Sequence, residues 1–115
     1  MKVSEAMARA DGLRLNAVPE AQKAAWVYEL DGQLAEMMGG KPRENRWPEV
    51  DAELRMPRPH EEIYPLYLIC KIDYYNQEMG LYANDMAVYN AAMAEAQAWW
   101  RRNHRPERQG NWRVL

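Results

Sequence analysis

Residues 68–100 read LICKIDYYNQEMGLYANDMAVYNAAMAEAQAWW. Apolar or aromatic residues stand alternately four and three apart: Leu68, Ile72, Tyr75, Met79, Tyr82, Met86, Tyr89, Met93, Ala96 and Trp100. A second row, Tyr67, Tyr74, Leu81 and Val88, repeats every seven residues, and neither row contains a charge. That spacing returns to one face of an α-helix every two turns, and the second row widens the stripe. Period-two alternation is absent, so an all-α chain is expected, with no sheet of three or more strands. One helix over 61–103 would be ~65 Å long at 1.5 Å per residue. A compact domain of this size has a radius of gyration of only ~13 Å. The run is therefore expected to break, and Gly80 with the N-capping pair Asn84-Asp85 places the break near 80–84. Helices over about 61–79 and 85–104 follow.

Upstream, residues 39–60 read GGKPRENRWPEVDAELRMPRPH, with four prolines, two glycines and dense mixed charge. This composition predicts a long Pro-rich loop, pinned to the body by Trp47. Before it, Pro19 opens a helix over about 18–38 that Gly39-Gly40 ends. Its stripe is Val27, Leu30, Leu34 and Met37, flanked by Trp26 and Tyr28. Asp31-Gly32 is expected to interrupt it, since the Gly costs about 1 kcal/mol relative to Ala. A shorter helix over about 4–11 carries Val3, Met7 and Ala10 on one side. Gly12 would end it in the left-handed conformation, with Leu13 folding back. The expected architecture is a small bundle of about four helices in a single domain, 1–105, followed by an extended C-terminal tail, 106–115. Leu30 and Leu34 join the 68–100 stripe as the packing residues.

The chain has 115 residues, which bounds it to one domain with a modest core. Its hydrophobic fraction of 48% and charged fraction of 28% are those of a globular protein. A formal charge of −2 gives no overall pull toward nucleic acid or an anionic membrane. The first residues, MKVSEAMARADG, lack the apolar run of a signal peptide, and no stretch approaches the ~20 apolar residues of a membrane span. Cys70, the only cysteine, lies in the apolar run LYLICKI and reads as a buried, inert thiol. His60 and His104 have no metal-binding spacing. No cofactor is implied.

Charge is partitioned along the second half. Residues 61–95 hold six acids against Lys71, whereas residues 99–115 hold five arginines against Glu107. The segment AQAWWRRNHRPER (96–108) admits two readings. Arg101, Arg102 and Arg105 can stabilise the negative end of a helix that Pro106 terminates. Alternatively, Trp99 and the arginines can stack on bases and contact phosphates. The acidic balance of the domain favours the helix end. Residues 106–115 finish in Trp112, Arg113, Val114 and Leu115, apolar groups that an idle solvated tail does not require. Trp99, Arg101, Arg102, Arg105, Arg108, Trp112, Arg113, Val114 and Leu115 are therefore the expected partner-binding residues, the tail acting as a docking arm. No catalytic constellation is visible. Glu61-Glu62 and Asp73 with Glu78 are carboxylate pairs without a companion His or Lys, and they read as a solvated face.

The segments RLNAVPEAQKAAWVYELDG (Arg14–Gly32), PRPHEEIYPLYLICKIDYYNQE (Pro57–Glu78) and YANDMAVYNAA (Tyr82–Ala92) together resemble the small head–tail connector proteins of long-tailed bacteriophages and prophages, also called adaptor or head-completion proteins. The resemblance spans roughly residues 3–105. It implies an all-helical protomer without enzymatic activity, assembled with copies of itself in a ring, twelve-fold to match a portal protein. Such a ring extends the DNA channel without specific DNA binding and receives the next neck or tail protein. The implied locations are the virion neck and, during assembly, the bacterial host cytoplasm, with no membrane. The alternative function is that of a small helical DNA-binding protein, a packaging accessory or regulator, using the basic Trp/Arg end.

Overall fold

A computed structural model describes residues 1–104. Arg105, Arg108, Trp112, Arg113, Val114 and Leu115, and with them the 106–115 tail, lie outside the described residues. The described chain is all-helical: α1 (Val3–Leu13), α2 (Glu20–Met38), α3 (Ile63–Tyr75) and α4 (Met79–Asn103). Among the described residues the only extended pairing is an isolated bridge between Lys2 and Glu53.

The most apolar helix, α3, occupies the centre, with α1, α2 and α4 all packed on it. Its Ile63, Tyr64, Leu68, Ile69, Cys70 and Ile72 are buried among Val3, Ala6, Met7 and Ala10 of α1 and Ala24, Val27, Leu30 and Leu34 of α2. Together α1, α2 and α3 form the compact body. The molecule measures 57 × 35 × 19 Å with a radius of gyration of 16.1 Å, longer and flatter than a compact globule of its size. Of the 25 residues of α4, only Tyr89 and Ala96 are buried.

The sequence misplaces the end of α1. Gly12 does not terminate α1: it lies inside the helix, a Cβ there would meet nothing within 4 Å, and Leu13 is 65% exposed rather than folded back. The chain leaves the helix at Arg14, whose extended backbone carries its guanidinium to carboxylates on α3 and α4. At the other end of α1, Asp51 accepts from the Ser4 N–H and hydroxyl, a carboxylate at a helix N-terminus supplied by the α2–α3 connection.

Asp31-Gly32 does not interrupt α2, which runs through both residues. Asp31 is tolerated because its carboxylate is fully used, as described below. Gly39 at φ 77° is the left-handed cap, where the absent Cβ matters. The connection that follows buries Leu54 and Met56 in the core and holds Trp47 half-buried against it.

The break in the long periodic run falls at 76–78, a turn earlier than the expected 80–84. Gln77 takes φ 58°; its N–H bonds the Tyr74 carbonyl and the Glu78 N–H bonds the Asp73 carbonyl. These are the paired bonds that close a helix in the Schellman motif. Gly80 and Asn84-Asp85 consequently sit inside α4, and Asp85 caps nothing.

This shift splits the stripe. Leu68, Ile72, Tyr89 and Ala96 are buried, and Tyr82, Met86 and Met93 are half-buried against the core. Tyr75 and Met79, assigned to the same packing stripe, are 53% and 49% exposed in the protomer. The second row fares similarly: Tyr74, Leu81 and Val88 are exposed, and only Tyr67 packs inward. A left-handed residue between two helices resets their rotational phase, so an unbroken 4–3 pattern in sequence is not one continuous face in space.

Candidate interaction surface

From Met79 to Ala94, α4 contains one charged residue, Asp85, and it is turned inward to Arg14. The side facing away from α3 presents Gly80, Leu81, Ala83, Asn84, Ala87, Val88, Ala91 and Ala94, all exposed. A solvated helix face normally carries charge, and this one carries none until Glu95. At 1.5 Å per residue the strip runs ~21 Å from Gly80 to Ala94. Where α3 meets α4 it is extended by Tyr74 and Tyr75, which lean edge-on against Tyr82 and Trp26, with ring centroids 5.5 Å and 6.4 Å apart. Leu81 and Val88 are thus large apolar side chains exposed on a helix face without charge. The small residues Gly80, Ala83, Ala87, Ala91 and Ala94 leave the backbone open to close approach.

At the far end of α4 the expected partner-binding residues separate. Trp99 is half-buried, packed on the core and 5.2 Å from the His60 ring in the α2–α3 connection. Trp100 is half-buried outside that core and stacks on His104 at 3.3 Å between ring centroids. The side chains of Asn103 and His104 reach back to the Trp99 and Trp100 carbonyls in the last turn of the helix. Arg101 and Arg102 are exposed in the last turn, where cations complement the helix dipole. The two tryptophans thus serve packing, and one face of Trp100 is covered.

Two charged clusters hold the molecule in shape. In the first, Asp31, 1% exposed, accepts from the Tyr64 hydroxyl (2.7 Å), the Arg55 N–H and Nε (both 3.1 Å) and Arg43 Nε (3.1 Å). Tyr64 in turn accepts from the Met56 N–H at 2.9 Å. One carboxylate on α2 thereby fastens both arms of the α2–α3 connection. In the second cluster, Arg14 Nε donates to Asp73 Oδ1 (2.9 Å) and Arg14 Nη2 to Asp85 Oδ2 (2.5 Å). Asp73 is fully buried, not part of the solvated acidic face expected of it. Burial first, and then the adjacent Asp85 carboxyl, push Asp73 up to about 6. Burial also acts to raise Asp85, but hydrogen bonds from Asp73 and Arg14 prevail and hold it below the usual carboxylate range.

The sequence reading missed Asp31 and Asp73 as organising groups. The available signal was an acid within an otherwise apolar helical run, WVYELDGQL and LICKIDYY. The expectation for Cys70 agrees with its surroundings: burial pushes its thiol up to about 12, leaving little thiolate at neutral pH. Elsewhere, a cleft of about 420 Å³ beside the chain's first residue is lined by Glu5, Glu53, Glu61, Arg55 and Arg58. Its charges are largely engaged, Glu61 by Arg58 and by the Met1 amine, and Arg55 by Asp31. Among the described residues no group of three or more His, Cys, Asp or Glu could hold a metal ion, and no helix is long and apolar enough to cross a membrane.

No family model matches the chain, and neither a curated protein nor a solved structure is found similar to it.

Proposed function

We propose that this protein is a non-enzymatic assembly subunit that works by packing the outward face of α4 against another copy of itself, and that its setting is a phage neck. The observation that carries this reading is the uncharged strip of α4, with Leu81 and Val88 exposed among small residues. Leaving such a strip in water forgoes ~25 cal/mol for each Å² of apolar surface. A second copy is the occupant that fits best. A strip without charge has no like-charge collision to overcome when it meets itself, and Gly80, Ala83, Ala87 and Ala91 let two backbones approach closely. The neck setting comes from the resemblance of Arg14–Gly32, Pro57–Glu78 and Tyr82–Ala92 to head–tail connectors. In that setting the copies form a ring between the portal and the next neck or tail protein, with DNA passing through it.

The test combines light scattering over a range of protein concentration with incorporation into portal-containing particles. The wild type should self-associate and join the particles. Ala87→Glu and Val88→Asp should stay folded, remain monomeric and fail to join. A wild-type protein that stays monomeric at high concentration, or variants that assemble normally, would overturn the choice of surface. Salt-sensitive binding of duplex DNA by a monomer, lost on replacing Arg101 and Arg102, would favour the DNA-binding alternative instead.

A further inference from the structure

The junction of α3 and α4 contains an arrangement that assembly does not account for. Asp73 near the end of α3 and Asp85 in the second turn of α4 are neighbours, and one guanidinium, Arg14, serves both. Two carboxylates and one cation leave a net negative charge in a place where Asp73 has no access to water. The bonding shows the same shortfall. Arg14 supplies a donor to Asp73 Oδ1 and to Asp85 Oδ2, while Asp73 Oδ2 is buried and receives no donor from any other group among the described residues. A buried carboxylate oxygen without a donor is costly. A proton held between Asp73 Oδ2 and the Asp85 carboxylate removes both deficits: the oxygen gains a hydrogen bond, and the cluster becomes neutral.

We infer that Asp73 and Asp85 share one proton and that its release to water loosens the α3–α4 junction, making this elbow a proton-operated latch. The other groups facing the pair are accounted for. Arg14 approaches from the end of α1 and stays charged. Cys70, one turn back on α3, feels both carboxylates, but its thiol lies near 12 and remains neutral. No ionisable group of α2 acts on either carboxylate. What the latch controls follows from the fold. The chain turns at Asn76, Gln77 and Glu78, and the Glu78 N–H bonds the carbonyl of Asp73 itself. Mutual repulsion of two ionised carboxylates therefore acts directly on the turn that aims α4.

The sign is fixed by where the proton sits. Asp73 is raised above its ordinary 3.8 to about 6, so its contribution is full below ~4 and fades as pH rises through about 6. Each unit of difference corresponds to a factor of ten. The shift of roughly two units therefore sets a ceiling of ~100-fold, of which on the order of tenfold remains to be lost above pH 5, one unit below the value of about 6.

Hydrogen exchange of the full chain, corrected for intrinsic rates, reads the latch through the amides of Gln77, Glu78 and Tyr82, with Leu30 and Leu34 in α2 as internal reference. From pH 5 to pH 7.5 protection at the elbow should fall on the order of tenfold, with the α2 amides unchanged. Asp73→Asn replaces the shared proton with a permanent amide donor and should abolish the pH dependence. Should that variant fail to fold, Asp85→Asn takes away the second carboxylate and offers an amide donor, and should move the step to lower pH. A flat wild-type profile, a fall of equal size throughout α2, or a folded variant that keeps the wild-type step would each overturn the inference.

Discussion

Replacing Tyr64 with Phe removes a single oxygen from the centre of the molecule. Its hydroxyl donates to Asp31 Oδ1 at 2.7 Å and accepts from the Met56 N–H at 2.9 Å, while the ring is fully buried. Phenylalanine retains the ring and its packing, so little cavity cost arises. Burial and the Asp31 charge both raise the phenol, which keeps it a protonated donor well into the alkaline range. Losing a hydrogen bond to a charged acceptor costs ~1.5–3 kcal/mol, and stranding the Met56 N–H adds ~1–3 kcal/mol. The variant no longer has to desolvate a hydroxyl, which returns ~1–2 kcal/mol. The expected net loss is ~2–3 kcal/mol, a large part of the ~5–15 kcal/mol that holds a small domain together. In urea, with a slope of ~1–1.5 kcal/mol/M for this size, the midpoint should fall by ~2 M with the slope unchanged. Exchange at the Met56 amide should rise more than at α1 amides, because the α2–α3 connection loses its inner fastening. A loss under ~0.5 kcal/mol would refute the reasoning. It would mean that Asp31, with Arg43 and Arg55 still in place, had no need of the tyrosine.

Two further outcomes separate core from surface. Leu34→Ala should cost ~2–5 kcal/mol in thermal or urea unfolding, whereas Leu81→Ala on the outward face of α4 should change protomer stability by less than ~0.5 kcal/mol. Gly39→Ala should lose ~1–2 kcal/mol because the left-handed cap at φ 77° crowds a Cβ. Gly12→Ala, inside α1 with open space around it, should instead gain ~0.5–1 kcal/mol in the same assay.

What the sequence determined by itself was whatever depends on residues close together along the chain. Helical periodicity gave the all-α class. Local cap chemistry placed the end of α2, where Gly39 is needed for its positive φ. The apolar runs around Leu30, Leu34, Leu68 and Ile72 identified the core of the body. Tertiary structure decided the rest, because the forces involved act between residues far apart in the chain. The phase of the 68–100 stripe was legible, but its use was not. A turn held by Gln77, a residue with no special tendency to positive φ, divides it and leaves Tyr75 and Met79 in solvent. Gly12 and Gly32 read as breakers and are helical, since a glycine costs only about 1 kcal/mol and packing of the surrounding helix outweighs that. The fates of Asp31 and Asp73 depended on partners up to 33 residues away for Asp31 and 59 for Asp73, which no local pattern reports. The outward face of α4 was hidden for the same reason. Its apolar residues look like core until the fold shows that α3 covers one side of the helix, and that water, or another molecule, meets the other.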